Sequence, residues 1–239
     1  MKPMNTMTKL GLLAIGVVIT ASPMSLALAD TNRAKSAPDS AERGVHDTRR
    51  VFGGSGAMGQ GKARTYAELN ADGSPASIGI VYTRGVLEGL PKAANLKSRC
   101  FDVNGNGTTQ VDECIGDHEL VLSSPPEVIN NADIPIKWAT LNWNPHGHPP
   151  AIWKAPHFDF HFYLATREDI QAIRPGPCGE IIDCEDFKRA TKPLPPRYLP
   201  VNYKSVDAAV ATMGNHLIDS ASPEMADPSK GKFTHSFIY

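Results

Sequence analysis

The chain has 239 residues, with 24 Lys and Arg against 25 Asp and Glu and a formal net charge of −1. That balance gives no footprint for nucleic acid, which is excluded as a partner. Twenty glycines and twenty prolines interrupt the chain too often for long helices and favour short strands joined by turns.

The first residues read as an export signal. Lys2 and Lys9 charge its start, residues 10–20 are apolar, and Ala27-Leu28-Ala29 forms a small-residue cleavage site before Asp30. The apolar run is too short for a stable membrane span and no later run approaches that length, so no membrane span is expected in the mature chain. The expected organisation is a signal peptide over 1–29, a flexible linker over 30–60 and a single β-rich domain over 61–239, placed in the periplasm or outside the cell. The linker assignment rests on a polar, charged stretch up to residue 50 and nearly all small residues over 53–61. Gly56, Gly61 and Lys62 imitate the start of a phosphate-binding loop. Ala63 replaces the magnesium-binding Ser or Thr, however, and no strand is predicted ahead of it.

Residues 62–70 and 77–83 read as two strands, with Asp72-Gly73 in the turn between them. Further short strands are predicted over 119–123 and 138–143. The clearest follows Pro156, where residues 157–163, HFDFHFY, alternate polar and aromatic side chains with period two. Thr166 followed by Glu168 and Asp169 starts a short helix that Pro175-Gly176 stops. Residues 206–213 fit a helix or a strand leading to His216, and 233–239 alternate as a strand. Together these predict a mainly β fold, a single antiparallel β-sandwich or barrel-like domain with one or two short helices.

Four cysteines in an exported chain read as two disulfides. Proximity in sequence selects Cys100–Cys114 and Cys178–Cys184 among the three connectivities. Between the first pair, residues 102–113 follow the spacing of a twelve-residue calcium loop. Asp102, Asn104, Asn106 and Glu113 would bind through side chains and Thr108 through its carbonyl. Thr109 stands where an aliphatic residue is usual and no amphipathic helix flanks the loop, so a disulfide-closed Asn-Gly turn is the competing reading.

Residues 143–164 hold four of the eight histidines, two of the three tryptophans and three of the eight phenylalanines. On the predicted strand, Phe158, Phe160 and Phe162 share one face, and His157, Asp159 and His161 the other. Imidazole with carboxylate suits zinc, iron, manganese or copper. Neighbours i and i+2 on a strand stand roughly 7 Å apart and can converge on one ion, whereas i and i+4, roughly 13 Å apart, cannot unless the strand bends. Asp159 with one of the two histidines is therefore the core of the expected site. His216 is the distant ligand and His148, on a proline-stiffened loop with His146, a further one. The competing reading is a hydrogen-bonded polar face without metal.

The segments Gly61-Lys62-Ala63-Arg64-Thr65-Tyr66, Val86-Leu87-Glu88-Gly89-Leu90-Pro91, Trp143-Asn144-Pro145, Gly147-His148-Pro149, the HFDFHFY strand, Met213-Gly214-Asn215-His216 and Ser222-Pro223-Glu224 together carry a resemblance. From about Gly61 onward the chain resembles a family of exported bacterial proteins catalogued as a domain of unknown function. The resemblance implies a β-rich exported domain with no established reaction. It also implies a further strand with an acidic residue after Tyr239, so this chain is expected to be a shortened member.

The leading functional expectation is an exported metal-binding domain, with His148, His157, Asp159, His161 and His216 around a transition metal and calcium as a second ion. A metal-dependent hydrolase or lyase using the same site, with Glu224 as an acid, is the first alternative. A self-associating structural envelope protein without metal is the second.

Overall fold

The structure, a computed structural model, describes residues 48–97, 99–115, 118–226, 233, 235, 236 and 238. The expected signal peptide and the first part of the expected linker lie outside them. Alternation of buried and exposed side chains builds the first sheet, β1 (Arg49–Met58), β2 (Gly61–Leu69) and β3 (Pro75–Tyr82), in the order β1-β2-β3. The second is β4 (His118–Ser123), β5 (Trp138–Asn144) and β6 (His157–Tyr163), in the order β4-β5-β6. β7 (Tyr203–Val210) and β8 (Gly214–Asp219) form a separate hairpin. All pairings between these strands are antiparallel. The architecture is mainly β and sandwich-like, with no closed barrel among the described residues. The helix capped by Thr166 is α2 (Arg167–Gln171), and three further short helices are α1 (Pro126–Ile129), α3 (Cys184–Ala190) and α4 (Pro223–Ala226).

β1 corrects the linker expectation over 49–58. Its small residues are a packing device rather than a sign of mobility. A Cβ on Gly53 would lie 2.2 Å from the Thr65 hydroxyl oxygen and 2.4 Å from the Ser123 carbonyl oxygen. The first sheet therefore approaches β4 backbone to backbone, a contact only glycine permits. The Thr65 hydroxyl fastens the two sheets by donating to the Ser123 carbonyl at 2.6 Å.

Between the sheets lies a core of Met58, Ala63, Val86, Leu122, Leu141 and Trp143. Each large aliphatic residue in it stabilises the fold by about 1.5–3 kcal/mol through burial. Phe158 joins this core, its ring 4.9 Å from that of Trp143. Phe160 and Phe162 stay 37% and 38% exposed, because β6 is an edge strand. The central strand β5 is buried from Ala139 to Asn144, on both of its faces. One face carries Ala139, Leu141 and Trp143 to the core. The other carries Thr140, Asn142 and Asn144, which register opposite His161, Asp159 and His157 of β6. The fold thus encloses a polar layer behind the second sheet.

Both expected disulfides are present, Cys100–Cys114 and Cys178–Cys184. No helix among the described residues is long and apolar enough to cross a membrane.

Candidate metal centre

β6 begins at His157 and sets Asp159 two residues further along the same face, as its period requires. The connection from β5 delivers the third group. Gly147 donates its N–H to the Asn144 carbonyl at 3.2 Å, reversing the chain directly after the strand. It adopts φ +63°, and a Cβ there would lie 2.0 Å from the Trp153 carbonyl oxygen. Only glycine can therefore make this turn. His148 follows, its N–H on the Trp153 carbonyl at 3.3 Å and its ring 5.7 Å from the Trp153 ring. His146, on the outside of the turn, is exposed.

Three side chains then converge. His148 Nε2 lies 3.2 Å from His157 Nε2 and 3.3 Å from Asp159 Oδ2, and His157 Nε2 lies 3.3 Å from Asp159 Oδ1. This is the one group of three or more His, Cys, Asp or Glu side chains among the described residues with ligand atoms close enough to hold a metal ion. Bonds of about 2.05 Å place ligand atoms about 3.3 Å apart around a tetrahedral ion and about 2.9 Å apart around an octahedral one. The His148–His157 separation is near the tetrahedral spacing, while the two histidines approach different oxygens of the Asp159 carboxylate.

The far sides of both rings fix their tautomers. His148 Nδ1 lies 2.8 Å from the Pro149 carbonyl oxygen and His157 Nδ1 lies 2.6 Å from that of Ala155. A carbonyl only accepts, so each Nδ1 carries a proton and donates it. In the neutral rings both Nε2 atoms are then lone pairs. Two lone pairs and a carboxylate then face one another, and a proton or a metal ion between them would satisfy all three.

Electrostatics point the same way. Burial opposes the charge of Asp159, but its bonds and charge interactions with His148 and His157 prevail and hold it well below the usual carboxylate range. Burial likewise opposes charging of His148, and the Asp159 hydrogen bond and charge overcome this and raise its pKa. Without a metal, a proton takes the bridging place. Asn144 steadies the carboxylate by donating Nδ2 to Asp159 Oδ2 at 2.7 Å.

Of the five expected ligands, the structure brings His148, His157 and Asp159 together and leaves His161 and His216 outside the group. Asp159 pairs with His157, and its third partner is His148 rather than His216. His161, two residues beyond Asp159 on the same face, is not part of the converging group. Its Nδ1 pairs with the Thr140 hydroxyl at 3.2 Å, and burial above all pushes the imidazole down to about 4. His216 Nδ1 lies 2.8 Å from the Ala208 carbonyl oxygen. The acid proposed for catalysis, Glu224, is buried; it accepts from the Ser236 hydroxyl, which itself accepts from Trp153 Nε1 at 3.1 Å. Asn142 and Asn144 were not foreseen, although polar residues alternating with Leu141 and Trp143 signalled a second polar row.

The expected calcium loop is closed upon itself. Asp102 accepts from the N–H groups of Asn106 and Gly107, Asn104 from that of Asn106, and Asn106 from the N–H and hydroxyl of Thr108. Glu113, the intended bidentate ligand, is buried and accepts from the N–H groups of Val103, Asn104 and Gln110. These bonds satisfy the disulfide-closed turn without an ion.

No protein-family model matches this chain, and no curated protein or solved structure matches it either.

Proposed function

We propose that this is an exported metal-binding domain whose centre is His148, His157 and Asp159, loaded with a borderline divalent ion such as zinc, iron or manganese. The observation that carries this reading is the convergence of two histidine Nε2 lone pairs and a half-buried carboxylate at 3.2–3.3 Å. The donor set fits the ion class, since imidazole and carboxylate suit these ions. Export is supported by two disulfides, which persist in oxidising compartments. Elemental analysis of protein purified without chelator or affinity-tag metal tests the reading. Near-stoichiometric metal is expected in the wild type and none in His157→Ala. A metal-free wild type whose melting temperature ignores added zinc, iron and manganese would refute it.

A second reading, metal-assisted hydrolysis or hydration, is favoured by one observation. The His148 side chain is 37% exposed, so the ion would have a solvent-facing side where water and substrate can bind. Hydrolysis of activated esters that requires both metal and His148 supports this; no turnover by the loaded protein leaves binding as the function.

A further inference from the structure

We propose that Asn142 is a fourth protein ligand of this centre, its side-chain oxygen reaching the ion from the inner side. The proposal rests on the metal-binding reading above. Asn142 has no exposed surface, and its Oδ1 finds no hydrogen-bond donor among the described residues. Buried polar atoms are nearly always partnered, so one left alone marks a place built for something else.

The orientation of the amide is fixed. Asn142 Nδ2 lies 3.4 Å from Glu119 Oε2. A carboxylate only accepts, so the nitrogen faces β4 and the oxygen is turned away from it. Glu119, Asn142 and Asp159 form one row across the three strands. Side chains directly opposite one another on a sheet stand about 4.5–5.5 Å apart at Cβ. Asn142 is thus the direct cross-strand neighbour of Asp159, and a cation held by that carboxylate would give the unpartnered oxygen its partner.

Asn144 solves the same problem differently, donating its nitrogen to Asp159. Asn142 does not, its nitrogen being turned towards Glu119 on the opposite strand. Two imidazoles, a carboxylate and an amide oxygen make a hard-to-borderline set, which suits manganese, iron or zinc and disfavours copper(I), a taker of sulfur ligands.

Cobalt(II) is the probe, because its visible absorption reports the atoms bound to it. The full chain is stripped of metal, reloaded with cobalt and titrated as wild type, Asn142→Ala and Asn142→Asp. Asn142→Ala is expected to bind cobalt at least tenfold more weakly with a shifted absorption band. Asn142→Asp, which restores an oxygen, is expected to keep a band like that of the wild type and to gain more thermal stability from cobalt than the wild type does. A wild-type band in Asn142→Ala overturns the assignment even if affinity falls. Should Asn142→Ala fail to fold, Asn142→Asp decides: a cobalt stabilisation no larger than in the wild type overturns it. A wild type that binds no cobalt removes the metal centre itself. Wild-type binding with an indifferent Asn142→Ala removes this ligand alone.

Discussion

His148 and His157 bring their Nε2 atoms to 3.2 Å, and neither can donate to the other while both rings are neutral. Each ring is held by a backbone carbonyl behind it, so the pair cannot relax by changing tautomer without losing that bond. The arrangement is preorganised for a cation, and several outcomes depend on it.

Asn144→Ala removes the donor that steadies Asp159 but no atom that would touch the ion. Metal affinity is expected to fall 10–100-fold, as for other groups that orient a ligand. His157→Ala, in contrast, abolishes binding. Competition against a chelator of known affinity separates the two; equal losses would mean that Asn144 has been misplaced.

Metal occupancy is expected to fall on acidification. The proton that bridges the metal-free site must leave before an ion enters. His148 has its pKa raised above 6.5 by Asp159, so affinity should already decline as pH drops through neutrality, earlier than for a site of unperturbed histidines. A flat affinity between pH 8 and pH 6 would contradict the bridging role.

His161 acts on stability with its own sign. Its folded pKa of about 4 lies below the ordinary 6.5, so the unfolded chain binds the proton more readily. Stability of the metal-free protein therefore falls as pH drops from 6.5 towards 4, by about 3 kcal/mol in the limit. His161→Gln keeps a partner for Thr140 and removes the titration. Urea unfolding at pH 7 and pH 4.5 should show a smaller pH loss in the variant.

Gly147→Ala is expected to cost at least about 2 kcal/mol, because the left-handed backbone and the Trp153 carbonyl both reject a Cβ. It should also weaken metal binding through displacement of His148. A variant with unchanged melting temperature and unchanged metal content would show that the turn tolerates a side chain.

Glu113→Ala leaves three backbone N–H groups without their carboxylate. A loss of about 3 kcal/mol is expected, since hydrogen bonds to a charged group are the strong ones. The loss should be the same with and without calcium. A calcium-dependent difference between variant and wild type would restore the calcium loop.

The strands that position the site were legible because they alternate. β6 was bounded at His157 and Tyr163 by its period alone, and both disulfides followed from proximity. β1 was missed because Gly53 and Gly54 read as loop residues, whereas their smallness serves a contact with Ser123 far along the chain. Asp159 with a neighbouring histidine was legible from strand geometry. The choice of His148 over His216 was not, because it depends on the turn at Gly147 and on β7–β8 holding His216 against its own Ala208. Polar pairing across β5 needed the register, which periodicity does not supply.

β5, its connection and β6 carry every group of the centre within one hairpin. Its ring and carboxylate ligands, His148, His157 and Asp159, lie within a dozen residues of one another. Closing so short a segment costs little chain entropy, and contacts of low sequence separation form early in folding. An ion can therefore be captured while the first sheet and the β7–β8 hairpin are still unassembled. On the metal-binding reading, capture of the ion would then belong to the chain's maturation as much as to its finished state. Affinity for such partly folded forms lowers the stabilisation that added metal gives the native protein.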